Sequence, residues 1–89
     1  MGYVMVMIKI LPSSPEIDVK RVLNTIKETL PPEYSLVDYK EEDIAFGLKS
    51  LILGIKMPEE KEGGTFELEN IISSVKGVGS ISILGISRI

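Results

Sequence analysis

The sequence predicts an α+β domain in the order strand, helix, strand, strand, helix, strand. Apolar residues recur at every second position in several stretches and at helical spacing in two others, and prolines and glycines punctuate most of the junctions. At 89 residues the chain fits one domain. A domain of this size buries only about 60–65% of its unfolded surface, so one core has to recruit nearly every large apolar side chain.

Tyr3 to Leu11 reads as the first strand. Val4, Val6, Ile8 and Ile10 share one face and Tyr3, Met5, Met7 and Lys9 the other; the first set is the better core face. Pro12-Ser13-Ser14-Pro15 stops the strand, and Asp18 is placed to cap the helix that follows. Val19, Val22, Leu23, Ile26 and Leu30 form its apolar stripe, with Lys20, Arg21, Lys27 and Glu28 mostly off it. Pro31-Pro32 ends the helix, because proline lacks the N–H and disfavours helical backbone before it.

Tyr34 to Tyr39 gives a weaker second strand, after which Glu41-Glu42-Asp43 reads as a solvated hairpin tip rather than a metal-binding acidic patch. Ile44 to Met57 is a long third strand, with Leu51, Leu53 and Ile55 on one face and Phe46, Leu48, Ser50 and Ile52 on the other. Pro58 ends it and Glu59 to Gly64 forms a polar loop. Leu68, Ile71, Ile72 and Val75 mark the second helix, capped by Thr65 and closed by Gly77. Val78 to Ile89 is the last strand, with Ile81 and Ile83 on its core face. Two right-handed βαβ-like crossovers in this order place both helices on one face of a four-stranded antiparallel sheet, a ferredoxin-like βαββαβ sandwich. The other face stays open and carries Met5, Met7, Ile52 and Leu84, an apolar surface of the kind that serves as an interaction site.

Composition excludes most chemistry. The chain has no cysteine and no histidine, which removes disulfides, thiolate nucleophiles, the usual general base near neutral pH and the usual ligands of zinc, copper and iron. No metal or cofactor is expected. The net charge of −3 and the scattering of Lys and Arg among acidic residues argue against a nucleic-acid partner. RNA recognition on the sheet is equally poorly supported, since the first strand offers only Tyr3 and the third only Phe46 as stacking aromatics. Gly63-Gly64-Thr65 lacks the lysine of a phosphate loop and reads as a flexible helix entry. The carboxylates Glu41, Glu42, Asp43, Glu59, Glu60 and Glu62 all fall in turns, where they do not face one another across a cleft, and no serine has a local base. No catalytic set emerges. The apolar run Tyr3 to Ile8 is too short to span a membrane and follows no basic segment, and Val6 stands where a myristoylation motif wants Ser or Thr. A cytoplasmic protein is the default expectation.

Ile44-Ala45-Phe46-Gly47-Leu48, the apolar strand after it, the acidic loop ending Glu62-Gly63-Gly64-Thr65, the opening Met1-Gly2-Tyr3-Val4 and the turn Pro12-Ser13-Ser14-Pro15 are together specific, although each is weak alone. In combination the chain resembles the archaeal elongation factor 1-beta family over its whole length. The resemblance implies a guanine nucleotide exchange factor for elongation factor 1-alpha, the GTPase that delivers aminoacyl-tRNA to the ribosome. It also implies that residues 1–89 are a single exchange domain. Phe46 matches the phenylalanine that members of the family bury in the GTPase. Arg88 matches, by position, the basic residue that reaches toward the magnesium and phosphate region of the nucleotide site. Gly47 and Ile89, their neighbours, complete the expected partner-contacting set. Eukaryotic members carry lysine at the basic position. Lysine is a compact point charge whereas a guanidinium is planar and broader, so Arg88 either replaces the metal or only disturbs its site.

From the residues alone, Phe46 is as readily a core residue as an anchor, and Arg88 a solvated terminal charge. The resemblance makes elongation factor 1-alpha the partner, without direct nucleic-acid or membrane contact, and the free chain a monomer. A small-molecule-sensing regulatory domain or an assembly module is the alternative that the fold allows.

Overall fold

A computed structural model describes residues 2–44, 47–60 and 64–89. Among them the chain runs β1 (Tyr3–Pro12), α1 (Val19–Thr29), β2 (Ser35–Asp43), β3 (Lys49–Pro58), α2 (Phe66–Ser73) and β4 (Val78–Arg88). The strands form one antiparallel sheet in the order β2-β3-β1-β4, the ferredoxin-like arrangement that the element order implies.

The alternation in β1 and β3 does the sorting. Val6 lies opposite Ile55, Ile8 opposite Leu53 and Ile10 opposite Leu51, so three cross-strand apolar pairs line one face of the two central strands. Val22, Leu23 and Ile26 from α1 and Leu68 and Ile72 from α2 pack onto that face in one core cluster. The Asp18 carboxylate caps α1 by accepting from the Lys20 N–H at 3.0 Å. Thr65 occupies the cap position of α2 but its hydroxyl does not cap. It donates instead to Glu69 Oε2 at 3.1 Å, a side-chain contact one position beyond the residue that would close a capping box.

Several boundaries differ from the sequence expectation, each for a local reason. Glu41-Glu42-Asp43 is not a hairpin tip but the end of β2, paired through Glu41↔Leu51, Glu42↔Ser50 and Asp43↔Lys49. These charges belong on an edge strand, where they project into water and discourage pairing with another chain. β3 accordingly begins at Lys49 rather than Ile44, and the Ile44 N–H donates to the Leu48 carbonyl at 2.9 Å to close the hairpin. Tyr34 precedes β2 and is buried in the core. α2 ends at Ser73, so Gly77 turns the chain into β4 instead of closing the helix. Val75, beyond the helix end, still reaches the core.

The face away from the helices is less open than expected. Ile52 is only 8% exposed and Ser50 is fully buried. The Ser50 hydroxyl is satisfied by the Glu42 carbonyl at 3.3 Å, and Ile52 has Lys9 and Lys40 as cross-strand neighbours, long side chains able to shelter it with their aliphatic stems. Met5 and Met7 converge over Gly54: a Cβ there would lie 3.2 and 3.3 Å from their sulfurs.

β4 is irregular. Met7 pairs with Gly85 but Ile8 with Ile83, so Leu84 is an extra residue, a β-bulge. A second register shift falls where Pro12 meets Val78. There, a Cβ on Gly79 would lie 2.8 Å from the Pro12 carbonyl oxygen and 2.9 Å from Ser13 Cα. Both are backbone atoms that cannot step aside. Gly79→Ala is expected to destabilise the fold by about 1–3 kcal/mol, as overpacking does elsewhere, read as a lowered midpoint in urea; an unchanged midpoint would show that the β1–α1 turn yields freely.

Candidate partner-docking site

Sheet register sets the geometry of the expected contact residues. β1 is antiparallel to both neighbours, with Tyr3 opposite Pro58 and Val4 opposite Arg88. The start of β1, the exit of β3 and the end of β4 therefore meet at one end of the sheet. The β2–β3 hairpin, with its stem at Asp43↔Lys49, lies at the other.

At the hairpin end, Gly47 is exposed and has φ +78°, a left-handed conformation that side chains with a Cβ rarely adopt. It permits the tight return from β2 to β3. Phe46, the expected anchor, lies outside the described residues. Gly47 also borders a shallow depression of ≈310 Å³ reaching to Pro12, Pro15, Ile17 and the α1 cap Asp18. The hairpin and the helix start thus share one surface.

At the opposite end, Arg88 projects with its side chain 81% exposed, and its Nη2 lies 2.8 Å from Glu59 Oε1. Ile89 is 63% exposed and its N–H donates to the Tyr3 carbonyl at 3.2 Å. The last two residues are therefore fixed in backbone, with both side chains largely exposed and that of Arg88 held at its tip by Glu59.

The structure brings Arg88 and Ile89 together, and places Gly47 far from them. β3, from Lys49 to Pro58, has 10 residues and at about 3.3 Å per residue spans roughly 30 Å. The molecule measures 43 × 20 × 18 Å, so these expected contact residues sit near the two tips of an elongated body. Among the described residues no group of three or more His, Cys, Asp or Glu is placed to hold a metal ion, and no helix is long and apolar enough to cross a membrane.

Sequence reasoning missed Glu59, which it placed in an undifferentiated polar loop, and the bulge at Leu84. The bulge did leave a trace: isoleucines at 81, 83 and 86 break the period of two, with Gly85 at the break.

Residues 5–89 match the family described as the EF-1 guanine nucleotide exchange domain. The chain belongs to this family. It is 44% identical over 86 residues to elongation factor 1-beta of Metallosphaera sedula, covering 97% of this chain and 94% of the relative. It is 40% identical over 86 residues to elongation factor 1-beta of Saccharolobus solfataricus, with the same coverage of both chains. Members of the EF-1 exchange family promote nucleotide exchange and are not enzymes with a covalent reaction of their own, in keeping with a sequence that offers no nucleophile with a base.

Proposed function

We propose that this exchange domain accelerates GDP release from elongation factor 1-alpha by gripping it at two separated points, and that it does so as a monomer in the cytoplasm. The observation that carries the reading is the family match over 5–89, which includes both tips of the sheet. An exchange factor makes no bond. It binds the nucleotide-free GTPase better than the nucleotide-bound form, and linkage makes the penalty mutual: whatever the factor loses on nucleotide binding, the nucleotide loses on factor binding.

The two tips have different tasks. Burial of one phenylalanine contributes roughly 1.5–3 kcal/mol of affinity, which holds the partner without discriminating between its states. That is the role of Phe46, with Gly47 giving the hairpin its turn. A thousandfold faster release requires about 4 kcal/mol of differential stabilisation at the release step. The discriminating group has to oppose what the nucleotide brings, namely magnesium and phosphate. A guanidinium forced beside Mg²⁺ in a low-dielectric interface repels it strongly, and the exposure of Arg88 at the C-terminal tip, with Ile89 beside it, supports giving it that task.

Phe46→Ala is expected to raise the Kd for nucleotide-free elongation factor 1-alpha by about 10- to 100-fold, read by titration calorimetry; an unchanged Kd removes Phe46 as the anchor. The reading as a whole is tested by mixing the chain with elongation factor 1-alpha loaded with a fluorescent GDP analogue. Faster release in stopped flow is the expected result, and a rate equal to the spontaneous one overturns it.

A further inference from the structure

We propose that Glu59 is a positioning residue for Arg88, and that it does this together with the Leu84 bulge; the inference rests on the role given to Arg88 above. Strict alternation from Ile81 and Ile83 would put Arg88 on the face away from the helices. The extra residue at Leu84 reverses the parity, so that Ile86 pairs with Val6 and Arg88 with Val4, whose side chains lie on the helix side with the core cluster. Bulges re-aim side chains in this way. The same parity change brings Arg88 to Glu59, the first residue after β3.

Glu59 is built to receive it. Its N–H donates to the Gly2 carbonyl at 2.9 Å, which fixes the backbone. Its carboxylate lies close over Gly2, where an added Cβ would stand only 2.6 Å from Oε2. Its other oxygen, Oε1, meets Arg88 Nη2 at 2.8 Å. The Glu59 side chain is 34% exposed against 81% for Arg88, so the carboxylate is the fixed partner and the guanidinium the one being held. A long exposed arginine otherwise samples many rotamers, and ordering it during docking costs affinity for the release step. A carboxylate anchored on the body removes part of that cost beforehand.

The test uses Glu59→Gln, which keeps the shape and removes the charge, and Gly2→Ala, which pushes the carboxylate away without altering it. Each is expected to slow factor-stimulated GDP release about two- to fivefold at low ionic strength, the range for an exposed ion pair, with the Kd for nucleotide-free elongation factor 1-alpha unchanged. The difference shrinks at high salt, where exposed charges are screened. In an Arg88→Ala background Glu59→Gln has no further effect, because Glu59 acts through Arg88. In the free protein, the Arg88 Nε–H order parameter falls in both single variants.

If Arg88→Ala slows release while Glu59→Gln releases GDP at the wild-type rate, the positioning role is overturned. It is also overturned if Glu59→Gln slows release equally with and without Arg88. If Arg88→Ala itself releases GDP at the wild-type rate, the role of Arg88 falls instead, and the order parameter alone then decides whether Glu59 restrains the side chain.

Discussion

Leu53→Ala is expected to lower the unfolding free energy by about 2–5 kcal/mol, the cost of a cavity left in a packed core. Leu53 is fully buried on a central strand, between Ile8 of β1 and Tyr39 of β2 in the register. Both helices press on its face of the sheet through Leu23, Ile26, Leu68 and Ile72, so the surroundings have little room to collapse inward. A domain of this size has only about 5–15 kcal/mol of stability in total, and a loss of 3 kcal/mol corresponds to a drop in Tm of roughly 12–24 °C. Leu84→Ala is the matched control. Leu84 is 54% exposed, and its truncation is expected to change stability by no more than about 0.5 kcal/mol. Thermal or urea unfolding followed by circular dichroism reads both. Equal losses in the two variants would refute the assignment of the core to one face of the sheet.

The second large effect is kinetic. Arg88→Ala is expected to slow stimulated GDP release by about 10- to 100-fold, the equivalent of roughly 1.4–2.7 kcal/mol at the release step, while the Kd of docking to the nucleotide-free GTPase changes far less. The split matters, because removing an interaction made with both states of the partner would change affinity and leave release proportionate. Arg88 is largely exposed in the free chain and, among the described residues, its ion pair is with Glu59, so its removal is expected to leave the fold intact and the loss is assignable to the complex. Arg88→Lys separates the two modes of action. A lysine that restores release favours point-charge repulsion of the metal, and one that fails favours displacement by the broad, planar guanidinium. Loss of docking with release unaffected would assign Arg88 to anchoring instead.

The parts of the fold legible in the sequence are those where a single physical signal acts alone. β1 alternates cleanly because its two faces meet different environments, and α1 shows a complete apolar stripe bounded by Asp18 and Pro31. β3 is apolar on both faces, as a central strand with a sheltered second face has to be, and Ile52 is buried where alternation alone predicts exposure. Errors arose where two signals compete. In Glu41-Glu42-Asp43, charge argues for a turn while the backbone completes an edge strand, and edge strands tolerate charges that central strands do not. At Thr65 the residue type is that of a cap, but its hydroxyl finds Glu69. The candidate site was read from resemblance. Arg88 and Ile89 came from resemblance rather than from any local pattern, and Gly47 from the same motif. Glu59 was invisible, because its role depends on Gly2 and Arg88, residues brought to it only by strand pairing across the whole length of the chain.

A hydrogen-bonded sheet bends more readily than it stretches, which gives the roughly 30 Å length of β3 a mechanical meaning. On the two-point grip proposed above, the body would work as a calliper of fixed jaw width. A partner conformer whose two receptor patches match that width is gripped by both jaws, and the second contact forms at high effective concentration. A conformer with any other spacing is touched by one jaw at a time and released. Selection among partner shapes then follows from a distance set by backbone pairing, and inserting two residues into β1 and β3 alike would change which shape is selected without altering a single contacting side chain.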